Sequence, residues 1–239
     1  MSEDDNTKIR LRHRVGRPWI WIIVAAVSAL VILFAFVWER INKSPSAADP
    51  GRLPHRGRSA IQDTIDELDW VAPAFLPLNE YSRPGILIAE VNSIVIHYVG
   101  NPATTAAQNR DYFAGLALSG ETYASSNFII GLDGEILQCV PVDEIAYASN
   151  TRNSDTLSIE LCHPDESGEF TAETYDAAVR LVAWLCCRFS LKAEDLLRHY
   201  DVIGKECPKY FVDNEDAWEQ FKAEVAAAII AEESMLTGS

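Results

Sequence analysis

The stretch Ser93-Ile94-Val95-Ile96-His97-Tyr98 is short, apolar, rich in β-branched residues, and carries a histidine at its end, just before Tyr98. A run of that length without polar alternation reads as a buried strand. Its neighbours alternate in type. Thr105–Leu118 has the pattern of a helix, and Asn127–Leu132 and Ile136–Val140 read as two strands around Asp133-Gly134, a hairpin turn signal. Leu157–Leu161 is a further strand. Thr171–Phe189 is a helix with Thr171 as N-cap and with Glu173 and Asp176 in its first turns. Asp216–Glu232 is a last helix, Ala-rich with charges on one side. Upstream, the spacing of Ile61, Ile65 and Leu68 predicts a short amphipathic helix within Ile61–Trp70. No internal repeat interrupts this order. Strands interleaved with helices predict an α/β domain in which helices pack on a mixed central β-sheet.

The chain has 239 residues and a formal charge of −15, spread unevenly. Residues 1–43 carry seven Lys or Arg against four acids, whereas the remainder carries 13 basic and 31 acidic residues. So acidic a body repels phosphate backbones and argues against nucleic acid as a partner. Recognition of an anionic polymer would have to come from a shaped cleft, not from a basic patch.

No charged residue occurs from Trp19 to Trp38, and the run is nearly all Ile, Val, Ala, Leu and Phe. Twenty residues at helical rise cover roughly 30 Å, the thickness of a bilayer's hydrocarbon core. Trp19, Trp21 and Trp38 sit at its ends, where aromatic rings prefer the interface, and a basic cluster from Lys8 to Arg17 precedes it. The expected organisation is a cytoplasmic basic arm over 1–18, a single-pass transmembrane anchor over 19–38, a linker over 39–60 and an extracytoplasmic domain over 61–239. Ser46, Ala47 and Ala48 leave a cleaved signal peptide as the alternative, although the apolar run is longer than such segments usually are. Both versions put the body outside the cytoplasm, at the cell membrane.

Five histidines occur. His13 lies in the basic arm and His55 in the linker. His97 ends a strand, and His199 stands eight residues before Cys207 in the segment Arg198-His199-Tyr200-Asp201-Val202-Ile203-Gly204-Lys205-Glu206-Cys207-Pro208. By spacing alone, a strand-end histidine is more often a satisfied polar residue than a metal ligand.

Five segments occur in order: Tyr81-Ser82-Arg83-Pro84-Gly85, Ile94–Tyr98, Ser125-Ser126-Asn127-Phe128-Ile129-Ile130, Ser158-Ile159-Glu160-Leu161-Cys162 and Arg198–Pro208. Together they resemble the type 2 N-acetylmuramoyl-L-alanine amidases, which share a fold with phage T7 lysozyme and the peptidoglycan recognition proteins. The resemblance is closest to the Gram-positive autolysin and prophage endolysin branch and is strongest over 80–213. It implies a zinc-dependent hydrolase of the amide between the lactyl group of N-acetylmuramic acid and L-alanine in peptidoglycan. It also implies one Zn2+ per chain, held by His97, His199 and Cys207. Three protein ligands leave the fourth tetrahedral position open to water, as in catalytic zinc sites.

In that branch a strand glutamate acts as general base and acid, which falls here on Glu160. The apolar neighbours Ile159 and Leu161 would point Glu160 to the face opposite theirs. The alternative for Glu160 is an exposed residue of an alternating strand. Lys205 matches a lysine of phage T7 lysozyme that would assist an oxyanion; otherwise it is a solvated loop residue. One departure stands out: where phage T7 lysozyme has a catalytic tyrosine, this chain has Ser126. The endolysin branch also lacks that tyrosine and relies on the glutamate, so the resemblance makes Ser126 a branch difference. A non-catalytic peptidoglycan-binding sensor of the same fold is the alternative function, although such sensors often lose the cysteine kept here. His163 is expected at the surface, with substrate contact as the other possibility. Cys139, Cys162, Cys186 and Cys187 are expected to be mostly reduced, buried thiols.

Overall fold

The structure is a computed structural model and describes residues 60–237. The expected arm, transmembrane anchor and all but the last residue of the linker lie outside the described residues. Among those described, no helix is long and apolar enough to cross a membrane.

The chain runs α1 (Ala60–Asp66), β1 (Ala72–Pro73), β2 (Ser93–Tyr98), α2 (Ala106–Ser119), β3 (Phe128–Ile130) and β4 (Ile136–Gln138). It continues with β5 (Thr156–Leu161), α3 (Ala172–Phe189), β6 (Leu196–Arg198), α4 (His199–Ile203), α5 (Lys209–Asp213) and α6 (Glu215–Thr237). Single 3-10 turns at Asn150–Arg152 and Ala193–Asp195 precede β5 and β6. The strands form one sheet in the order β1-β4-β3-β5-β2-β6. Every pairing is parallel except the β3–β4 hairpin, so the expected mixed sheet is observed.

The two central strands explain why the sequence folds this way. In β5, Leu157, Ile159 and Leu161 join Ile94 and Ile96 of β2 and Phe128 and Ile130 of β3 in a core packed against α3 and α6. The opposite face carries Ile129 and packs on Ala106, Phe113 and Leu116 of α2. In β2, covered on both faces, the apolar run is unbroken from Ile94 to Ile96 until His97, whereas β5 alternates, with Ser158 and Glu160 on the face opposite Leu157, Ile159 and Leu161.

The helices begin where the sequence marks them. Thr105 caps α2 in a reciprocal box with Gln108, and Gly120 ends the helix in the left-handed conformation. Thr171 caps α3 by accepting from Thr174 N. The hydroxyls of Thr171 and Thr174 also donate to Leu132 O and Gly131 O, which ties the start of α3 to the hairpin. Gly134 sits in that hairpin at φ +78°, and a Cβ there would meet Glu173 O at 2.8 Å, so only glycine fits the turn.

Two expectations are refined. The N-terminal helix stops at Asp66, although Leu68 and Trp70 still pack on the core. The hairpin strands shorten to three residues each; beyond them Cys139 N and Val140 N both donate to Asn127 O.

Candidate metal centre and catalytic cleft

β2 and β5 run parallel with His97 and Glu160 as direct register partners. Both project to the face opposite the large core, at the carboxyl ends of the strands, where α/β sheets place their clefts. The sequence argument for Glu160 holds in detail. Ile159 and Leu161 are in the core, while Glu160 lines the cleft.

His199 arrives from the other side of β2. Strand β6 pairs with β2 through Leu196, Leu197 and Arg198, and His199 opens the short helix α4 immediately afterwards. Gly204 ends α4 at φ +73°, and the chain turns back so that Tyr200 N donates to Cys207 O at 2.9 Å. That closure sets Cys207 beneath the two histidines. Arg198 holds the whole turn: it forks onto Asp201 at 2.9 and 3.1 Å, reaches Glu215 at 2.6 Å and donates to Phe211 O at 3.0 Å.

The potential ligand atoms of His97, His199 and Cys207 lie within 4.8 Å of one another, and all three residues are buried. Cys207 Sγ is 3.8 Å from His97 Nδ1, and the two imidazole centroids are 4.6 Å apart. His199 Nδ1 is enclosed without any hydrogen-bond partner. The far nitrogens are engaged: His97 Nε2 lies 3.3 Å from Ser149 Oγ and His199 Nε2 2.8 Å from Asn150 Oδ1. Burial, then the proximity of His199 and Lys205, hold His97 well below the usual histidine range. Burial, then Lys205, push His199 down to about 4. Both rings are therefore neutral at physiological pH, the form that binds metal. Burial, with Glu160 adding to it, pushes the Cys207 thiol up to about 12, so its thiolate needs a nearby cation. An enclosed orphan nitrogen, a converging thiol and two neutral imidazoles fit a soft, tetrahedral dication such as zinc.

Around these residues lies a cleft of about 370 Å³, which Glu160 and Lys205 also line. Glu160 is half-buried, but its Oε2 is completely enclosed and unpartnered. Burial pushes this carboxyl up to about 8, with Lys205 opposing. A group that exchanges its proton near neutrality suits general acid–base work. Lys205 is exposed on the loop before Cys207, its carbonyl accepts from Cys207 N at 2.7 Å, and its side chain lines the cleft. Tyr123 and Tyr147, edge to face at 5.5 Å, form one wall.

One expectation changes. His163 is not a surface residue: only 2% of it is exposed, its ring lies tilted against Tyr98 at 5.0 Å, and Nδ1 donates to Asp165 O at 2.7 Å. It does not line the cleft. Ser126, where no catalytic side chain is expected, is buried and donates to the backbone oxygens of Phe128 and Ser158. Cys139, Cys162 and Cys186 are buried as expected, and Cys187 is half-buried. Sequence reasoning missed Ser149, Asn150, Tyr123 and Tyr147. Their one visible signal is a polar Ser149-Asn150-Thr151 run just ahead of the strand that carries Glu160.

A mixed sheet with a two-histidine, one-cysteine cluster and a glutamate on the neighbouring strand defines the class: an α/β domain whose open cleft carries a group of three side chains that could hold a metal ion. The chain belongs to the N-acetylmuramoyl-L-alanine amidase family, whose model matches residues 88–210, about half of its length. Within that family it sides with the Gram-positive autolysin and endolysin branch. It is 32% identical over 167 residues to N-acetylmuramoyl-L-alanine amidase CwlL of Bacillus licheniformis, covering 65% of this chain and 46% of that protein. With N-acetylmuramoyl-L-alanine amidase BlyA of Bacillus subtilis (strain 168) it shares 28% over 175 residues, 64% of this chain and 46% of that one. It thus spans about half the length of the curated relatives it matches. A mutant endolysin from Bacillus subtilis superposes with a TM-score of 0.55 at 25% identity, over 65% of this chain and 97% of that one. The catalytic domain of XlyA gives 0.56 at 24%, over 65% and 98%, a likeness of fold.

Proposed function

We propose that this protein is a zinc-dependent N-acetylmuramoyl-L-alanine amidase that hydrolyses the amide between the lactyl group of N-acetylmuramic acid and L-alanine in peptidoglycan. The observation that carries the reading is the convergence of His97, His199 and Cys207 within 4.8 Å, in a cleft that Glu160 and Lys205 also line. Family membership supports the choice of bond.

Nδ1 of each histidine and Sγ of Cys207 would hold the ion. When bound, zinc supplies a Lewis acid for the scissile carbonyl and brings the pKa of water to about 7. Glu160 takes the proton of the attacking water and returns it to the leaving amine of L-alanine, so the amide and one water become a lactyl carboxylate and a free amino terminus. Lys205, exposed at the cleft, stabilises the oxyanion as the carbonyl becomes tetrahedral. The Tyr123 and Tyr147 rings give the sugar or peptide an aromatic wall to pack against.

The anchor and location belong to the same proposal. The uncharged run from Trp19 to Trp38, with its basic flank, would hold the domain at the outer face of the cell membrane. A linker of about twenty residues restricts such a hydrolase to nearby wall, which favours remodelling over lysis.

The test is digestion of purified peptidoglycan by the full-length protein in detergent, followed by mass spectrometry of the products. Stem peptides with a free N-terminal alanine, absent after chelation, are the expected result. Glycan fragments with intact stems, or stem peptides cut internally, would overturn the bond assignment. One bound zinc per chain with no products would favour the peptidoglycan sensor.

A further inference from the structure

The metal cluster leaves one matter open: why both histidines present Nδ1, the nitrogen nearer the backbone, to the ion. Neutral imidazole carries one N–H, and a ring can ligate through Nδ1 only if the proton sits on Nε2. The partners of the two Nε2 atoms are consecutive residues. Ser149 Oγ lies 3.3 Å from Nε2 of His97, and Asn150 Oδ1 lies 2.8 Å from Nε2 of His199. Both oxygens can accept from an N–H. We propose that Ser149 and Asn150 are positioning residues: one loop fixes both histidine ligands in the Nε2–H tautomer and aims their Nδ1 lone pairs at the point facing Cys207.

The loop is built for this. Asn150 sits at φ +52°, in the left-handed region that non-glycine residues seldom adopt, and the turn it makes sends two successive side chains to two different rings. Asn153 Oδ1 accepts from Ser149 N at 2.6 Å and from Ala148 N at 3.1 Å, which fixes the backbone on one side. On the other, Thr156 Oγ1 donates to Arg152 O at 2.7 Å, and Arg152 forks onto Asp155 at 2.8 Å. The orphaned Nδ1 of His199 is the complement of this arrangement: it is the nitrogen for which the protein supplies no partner.

The inference rests on the zinc reading of the site, and its test separates the two. Full-length protein labelled with 15N at histidine, in detergent, is compared as wild type, Asn150→Gly, Asn150→Asp and Ser149→Ala. Glycine keeps the positive φ without strain and removes only the acceptor; aspartate keeps an acceptor. In metal-free wild type, the nitrogen spectrum at neutral pH should show the Nε2–H tautomer for both rings. Asn150→Gly should lose that preference at His199 and weaken zinc binding, measured by competition with a chelating dye, by about 10–100-fold. Asn150→Asp should restore both. Ser149→Ala should shift His97 alone, with a smaller loss of affinity, as its bond is the longer one. An Nδ1–H tautomer at His199 in wild type would overturn the inference whatever the zinc result. So would wild-type zinc affinity in Asn150→Gly. Failure of wild type to bind zinc would instead sink the metal reading, while the tautomer spectra still decide the roles of Ser149 and Asn150.

Discussion

His97 and Glu160 occupy the same rung of the sheet, paired Cα to Cα across the parallel strands β2 and β5. A proposed metal ligand and the proposed general base thus sit side by side on adjacent inner strands of the sheet. Their relative position is set by strand register, and a register slip would turn both away from the cleft.

Because the backbone fixes where the carboxylate starts, its reach decides whether it meets the water. Glu160→Asp shortens that reach by one methylene and leaves the ligands untouched. Turnover of peptidoglycan should fall by about 100-fold with zinc content unchanged, as followed by product release and metal analysis. Retained turnover would place the base elsewhere.

The turn that delivers His199 and Cys207 depends on Arg198, whose side chain is almost wholly buried between Asp201, Glu215 and Phe211 O. Arg198→Ala strands Asp201 and frees a buried carbonyl. It should destabilise the domain by about 2–4 kcal/mol in denaturant unfolding. Arg198→Lys should recover little, since an ammonium cannot make the fork.

In the metal-free protein, Glu160 gives a stability signature with a definite sign. Its folded value, about 8 through burial, lies above its ordinary value of 4.5. The stability it contributes is fully present below about pH 4.5 and is lost as pH rises through 8. His199, depressed to about 4 by burial and Lys205, acts oppositely: its contribution is present above 6.5 and lost as pH falls through 4. The difference between wild type and Glu160→Gln isolates the first group. The glutamine variant should gain on wild type as pH rises from 5 to 8, at no more than about 1.4 kcal/mol per pH unit. Parallel stability curves would contradict the placement of Glu160.

Ser126, where phage T7 lysozyme has a tyrosine, has no room for one. Its hydroxyl is buried against the backbone of Phe128 and Ser158. Ser126→Tyr should therefore lower the unfolding midpoint, by an overpacking cost of about 1–3 kcal/mol, and add no activity. A stable variant with raised turnover would show that the position faces substrate.

How much of this was legible in the sequence depended on the range of the interactions. β2 was readable from end to end, and β5 and the caps of α2 and α3 nearly so, because burial and capping write themselves into adjacent residues. The two-residue β1 and three-residue β6 carry no period of their own and exist through pairing with β4 and β2. Strand alternation gave the direction in which Glu160 points, whereas His97, His199 and Cys207 were singled out as candidate ligands by resemblance. Ser149 and Asn150 were invisible because their meaning lies in rings 52 and 49 residues away. His163 misled because a histidine before proline in a loop looks solvent-facing, whereas Tyr98 covers it. The span from Trp19 to Trp38 stays a proposal from hydropathy.

The most direct test of the account is zinc content and turnover measured together on wild type and Glu160→Gln. Both proteins should bind one zinc per chain, with turnover of peptidoglycan at least 100-fold lower in the glutamine variant. Equal turnover in the two, or active wild type without zinc, would contradict a mechanism in which His97, His199 and Cys207 hold the metal and Glu160 moves the proton.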